Sequence, residues 1–356
     1  MSHPPPPPTW PAAYPAPQSP VAAHPHPEPR EYPMMLRTWT FAWWRPLVGL
    51  VLLVVGVVIV APLLLLPMLA VAVAIQGGDG AFLDRFSDAL SLTSVSPASM
   101  LYLNLSLASA VLVSWLIVRW VHQLRPRWLT SVRPGLRWKF FFACFGLAVV
   151  ALVAQVVVGA LLPQDPNDIG GGVNEVTPRV IALALVVLFT TPLQAMGEEF
   201  AFRGYSMQAF GSLASRGAES LGLSRDRARV VAAWVAIVVT SVLFALAHGV
   251  QNAPLFFDRF TFGLMAGFVV WRTGGLEAGI AMHIWNNLVA FGFALAFTDI
   301  DSTLKVSEVS WWQIPLTITQ NGVYLVLVLL VARRMGIRNR TEPRRPAVLE
   351  DHSPVV

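Results

Sequence analysis

Apolar residues fill this chain in long runs, and the polar positions gather mostly between them. The runs cover about 47–75, 98–118, 140–162, a stretch starting near 180, 230–248, 255–271, 276–297 and 314–332. Several exceed the ~18 apolar residues that mark a bilayer-crossing helix. The pattern predicts an all-α fold, a polytopic transmembrane helical bundle of about eight spans. The first run is long enough to tilt, or to kink at Pro62 and Pro67.

The segments outside the runs divide the chain. Residues 1–45 are rich in proline, including the run Pro4 to Pro8, and are expected to be a disordered or polyproline tail. This stretch does not resemble a signal peptide, because the first apolar run comes too late and is too long. Residues 46–175 hold the first spans, 176–300 a core with polar groups, 301–335 the last span, and 336–356 a basic disordered tail. Arginines sort onto alternate loops: Arg119 to Arg137, Arg216 to Arg229, and Arg333 to Arg345. The other loops are acidic, as at Asp79, Asp84 and Asp88. This asymmetry predicts a multi-pass cell-membrane protein with both termini in the cytoplasm. No internal repeat of the transporter kind is visible.

Composition supports the same class. The chain is 55% hydrophobic and 13% charged, where a soluble domain is about 25% charged. With these spans, the net charge of +5 reads as loop anchoring beside a lipid bilayer, not as nucleic-acid binding. The lone Cys144 lies inside a span and excludes an intramolecular disulfide.

Three apolar runs contain side chains that are costly in lipid, which makes them functional candidates. The first carries Glu198-Glu199-x-x-x-Arg203. On a helix Glu199 and Arg203 are one turn apart with the acid N-terminal, which favours a pair. Glu198 points about 100° away, and Phe202 occupies its own i+4 position. A carboxylate without a cationic partner suits general acid–base work. The second is Phe244-x-x-x-His248, whose ring and imidazole share a face. The third is His283-x-x-x-Asn287, which offers N–H donors for a developing oxyanion. Read singly, each can instead be interhelical packing or hydrogen bonding.

In this order on three apolar helices, the motifs resemble the intramembrane protease family of CAAX-processing and bacteriocin-processing enzymes, also called CPBP or Abi. Phe202-Arg203-Gly204 and Arg272-Thr273-Gly274-Gly275 are similar to that family as well. The resemblance covers about residues 180–297. It implies that Glu198 and His248 activate a water, that His283 and Asn287 hold the oxyanion, and that Glu199, Arg203 and Phe244 support the site. The implied substrate is a peptide or lipidated peptide. The family is labelled metalloprotease, and Glu198, His248 and His283 make a plausible zinc set. There is no His-Glu-x-x-His helix, so glutamate-driven hydrolysis without a committed metal is the preferred reading. The alternatives are a non-catalytic scaffold or bacteriocin-immunity protein of the same fold, and a proton-coupled transporter.

The motifs must meet at one depth. His283 lies ~10 Å into its helix and His248 ~27 Å into its own, at ~1.5 Å per residue. That agreement requires the fifth span to begin well outside the hydrocarbon or to tilt. The helix bearing Glu198 should continue past Arg203 to about Phe210, followed by a polar insert over 212–229.

Overall fold

The computed structural model describes residues 25–163 and 172–342. Among the described residues, eight helices are long and apolar enough to cross a membrane: α1 (Trp44–Gln76), α2 (Pro97–Trp120), α3 (Trp138–Leu161), α4 (Pro178–Ser220), α5 (Arg225–Leu246), α6 (Ala253–Thr273), α7 (Glu277–Phe297) and α8 (Gln313–Arg334). Among the described residues there is no β-strand. The chain is a multi-pass membrane protein. Short helices at Phe82–Ser91 and Ile300–Leu304 lie between spans.

Helix starts follow ordinary capping chemistry. Thr177 caps α4 and Asn252 caps α6 through side-chain oxygens that accept from backbone N–H groups, each with proline in the first turn. Ser96 and Ser99 form a reciprocal capping box on α2. In α1, a π-helical turn over Gly56–Val60 comes just before Pro62. A proline ring clashes with the carbonyl four residues back in a regular helix, and the wider turn accommodates that strain.

Packing sets the layout. Helix α4 is central and touches α2, α5 and α7; α6 joins α5 to α8, and α3 packs on α7 and α8. Half of the most apolar window of α6 is buried, against 17% of that of α1. Thus α6 is interior and α1 peripheral, with Val51, Val54, Val58 and Leu64 facing outward. The Gly263-x-x-x-Gly267 face of α6 packs inside the chain against Ser241 and Ile237 of α5.

Gly197 decides how close α2 comes to α4. A Cβ there would lie 2.2 Å from the Leu107 carbonyl oxygen and 2.8 Å from Ala108 Cα. These are backbone atoms at the point where α2 is interrupted before Ala110. A Gly197→Val variant must push the two helices apart next to Glu198. We expect it to lose at least ~3 kcal/mol of stability, read as a lowered melting temperature in detergent.

The chain departs from its expected tails. Residues 1–24, with the Pro4 to Pro8 run, lie outside the described residues. From residue 25 onward the expected tail is folded: Tyr32, Met35 and Leu36 are fully buried. Glu31 holds this strap, accepting from Arg229, Arg340 and the Trp271 indole. A β-bridge also joins Glu31 to Arg340. Both ends of the described chain therefore meet at one end of the bundle. Residues 343–356 of the expected basic tail lie outside the described residues.

Helix α4 is also longer than expected. It runs to Ser220, so the first part of the polar insert is helical. Ser212 and Ser215 are buried, and Arg37 of the strap bonds to Ser215. Helix α5 begins at Arg225, five residues before the apolar run. At ~1.5 Å per residue this supplies the extra length below the site that His248 requires.

Candidate active site

Glu198 and Glu199 end the regular part of α4, and the chain then widens into a π-helical turn over Phe200–Ser206. Such turns change which side chains share a face and recur at functional sites. Tyr205 anchors this one: its hydroxyl meets His122 Nε2 at 2.9 Å, beyond the end of α2. Burial, with a smaller contribution from Arg45, pushes His122 down to about 4, so its imidazole is neutral at pH 7.

Glu199 and Arg203 form the pair expected one turn apart. Arg203 Nη1 donates to Glu199 Oε1 at 2.9 Å, and neither side chain is exposed to solvent. His283 of α7 meets the same oxygen through Nδ1, at 2.8 Å. An ionised carboxylate only accepts, so this contact puts the proton on Nδ1 and leaves Nε2 for other work. Glu199 Oε2 has no hydrogen-bond partner among the described residues. It lies where a Cβ on Gly279 would stand 2.6 Å away, so that glycine keeps room for the acid. The Arg203 guanidinium lies over the Phe244 ring at 4.1 Å, a cation–π contact.

Glu198 points elsewhere, as its position on the helix requires. Its Oε2 lies 3.6 Å from His283 Nε2. Its Oε1 accepts from the Gln194 side-chain amide. Gln194 Oε1 in turn accepts from Asn287 Nδ2 at 3.0 Å. His283 thus sits between two adjacent carboxylates of α4.

His248 follows the end of α5. Its Nδ1 donates to the Phe244 carbonyl at 2.7 Å, leaving Nε2 uncommitted. Its ring packs edge-on against Phe244 at 4.7 Å, and His283 meets the same phenyl ring at 5.8 Å. Burial lowers the His248 pKa below the ordinary histidine value, and the Glu198 charge opposes that lowering. Phe244 is therefore the apolar wall common to both histidines and Arg203. Phe262 of α6 closes the other side of His283 at 5.2 Å. His248 is exposed, the Glu198 side chain 13% exposed and His283 3% exposed. The polar cluster therefore opens on the His248 side and is sealed behind His283.

The structure brings together Glu198, Glu199, Arg203, Phe244, His283 and Asn287, and sets His248 at the cluster's exposed edge. Two further residues belong to it. Gln194 carried a readable signal, since it is one turn before Glu198 on the same face. Phe262 carried none, being one of many aromatics in an apolar run. Among the described residues, no three His, Cys, Asp or Glu side chains are grouped so as to hold a metal ion. The Glu199 contact engages His283 Nδ1 and leaves Nε2 as the nitrogen that any metal would have to meet.

Residues 180–289 match the family described as type II CAAX prenyl endopeptidase, Rce1-like. That span holds every residue of the cluster. The chain is also similar to YyaK of Bacillus subtilis strain 168, described as an uncharacterized protein. The two are 23% identical over 229 residues, covering 60% of this chain and 69% of that one. No solved structure matches the chain.

Proposed function

We propose, from the match of residues 180–289 to the Rce1-like type II CAAX prenyl endopeptidase family, that this chain is an intramembrane endopeptidase. The observation that carries the proposal is the convergence of α4, α5 and α7 on Phe244. Two imidazoles and the Arg203 guanidinium meet that ring, and Glu198, beside His283, is linked through Gln194 to Asn287, all from positions far apart in sequence.

The chemistry proceeds through this chain's own side chains. Glu198 takes a proton from a water held with His248 Nε2 at the open edge of the cluster. The resulting hydroxide attacks the scissile carbonyl carbon. Charge gathers on the carbonyl oxygen, where two N–H donors hold it: Asn287 Nδ2, and His283 Nε2 in an imidazolium form whose Nδ1 proton stays with Glu199. The C–N bond then breaks as Glu198 returns its proton to the leaving nitrogen. Glu199, paired with Arg203, fixes the His283 ring. Phe244 and Phe262 keep water from the buried side, which strengthens each electrostatic contact.

The substrate is a peptide presented at the membrane, and the family's description makes a prenylated C-terminal segment the first candidate. The arginine-rich loops favour an orientation with both chain ends in the cytoplasm, which gives such peptides access from that side.

Reconstituted protein should cut a farnesylated C-terminal peptide at one internal amide, detected by mass spectrometry. A non-lipidated version of the same peptide measures what the lipid adds. If neither peptide is cut, and removing the protein from cells leaves every membrane-fraction precursor unchanged, the reading fails.

A further inference from the structure

The cluster contains an amide that the motifs do not include. Gln194 lies one helical turn before Glu198, is almost fully buried, and uses both ends of its side chain. Its Nε2 donates to the Glu198 carboxylate, while its Oε1 accepts from Asn287 Nδ2 at 3.0 Å. It is therefore a direct link between α4 and α7, from the carboxylate to the asparagine.

The link has a fixed direction. An ionised carboxylate accepts only, so Gln194 must turn its NH2 toward Glu198. That turns its carbonyl oxygen toward Asn287, which must answer with its own NH2 and not its oxygen. An asparagine amide left to itself has two orientations of similar shape, and a network of partners selects one. Here the selection starts at Glu198 and passes through Gln194. The outcome is an Asn287 whose donor end faces the acid's side of the site, with a second N–H on the same nitrogen still available.

We propose that Gln194 is a positioning residue: it holds the Glu198 carboxylate and sets the Asn287 amide so that its remaining N–H faces the substrate carbonyl. This inference rests on the endopeptidase reading above. Gln194 touches neither water nor substrate in this scheme. It acts through the two residues it joins, and its loss should slow the chemical step without weakening substrate binding.

The test is a Gln194→Met variant, which keeps the length of the side chain and removes both hydrogen bonds. With a cleavable peptide, kcat should fall about 10- to 100-fold while KM stays unchanged, since misplacing reacting groups by about 1 Å costs up to that much. In an Asn287→Ala background the same change should cost clearly less than it does alone, because the part of its effect that passes through Asn287 is already gone. A Gln194→Glu variant guards against misfolding of the first. It keeps the acceptor toward Asn287 but places a carboxylate against Glu198, and kcat should again fall. Unchanged kcat in both variants, full multiplication of the two losses, or failure of both variants to fold overturns the proposal. An E198Q protein as active as the parent overturns the endopeptidase mechanism and this proposal together. An inactive E198Q beside a fully active Q194M overturns this proposal alone.

Discussion

An E198Q variant is expected to fold like the parent and to hydrolyse peptide about a thousandfold more slowly. The exchange keeps the size and shape of the side chain. Glu198 is partly exposed, and the cluster's guanidinium is spent on Glu199, so the exchange breaks no arginine pair and gives up only the 3.6 Å approach to His283 Nε2. Its contact to Gln194 survives, because the new amide oxygen accepts the same N–H. What disappears is the ability to take a proton from water and return it, and general acid–base catalysis contributes about 10²- to 10⁴-fold. The check is a melting curve in detergent beside kcat for a cleaved peptide. An unchanged melting temperature with activity within tenfold of the parent would remove Glu198 from the chemistry and favour the scaffold reading. Glu198→Asp makes a second point: it keeps the carboxylate but withdraws it by one methylene. Its activity should also fall, by up to about 10²-fold, because position matters as much as charge.

The sequence revealed those properties that depend on local pattern. Transfer between water and lipid is decided within about twenty residues, so all eight spans were legible, and α2 at Pro97–Trp120 lies within two residues of the run at 98–118. Helical spacing is local too, which is why the Glu199–Arg203 pair could be read one turn apart. The strap was not legible, because its anchors are remote. Glu31 meets Arg229, Trp271 and Arg340 across 198, 240 and 309 residues of chain. By composition alone, a segment rich in proline has too little apolar surface to fold. It is ordered here because the bundle supplies the partners.

The same reason explains the misread end of α4. Gly211, Ser212 and Ser215 look like a polar loop. They are buried in a helix because the strap docks there, with the Pro33 carbonyl against Gly211 and Arg37 on Ser215. At the site, the sequence carried the identity of the polar groups but not which one faces which. His283 was expected to hold the oxyanion with Asn287, and its ring also reaches both Glu198 and Glu199. Spacing along α7 places its ring on a face, and only the packing of α7 against α4 decides that Nδ1 meets the second acid.

That second acid should behave unlike its neighbour: Glu199→Ala is expected to destabilise the fold by about 3–5 kcal/mol, the cost of leaving one member of a buried ion pair alone. Arg203 would then keep the Phe244 and Phe262 rings and the more remote Glu198 charge, with no solvent exposure to offset the loss. Against a typical total of 5–15 kcal/mol, this should appear as a large drop in melting temperature or in folded yield. The reverse exchange, Arg203→Ala, leaves the Glu199 carboxylate with the His283 contact alone and should cost a similar amount. Removing both charges separates stability from activity. Replacing a buried pair by apolar residues of similar volume is often neutral or stabilising, so a Glu199→Met, Arg203→Met double variant should regain most of the lost stability. It should not regain hydrolysis, because His283 Nδ1 then has no acceptor at 2.8 Å to hold the ring beside Glu198. A double variant that recovered both would show that the pair only packs the helices together. Recovered folding without recovered turnover would show that Glu199 orients the imidazole on which the chemistry depends.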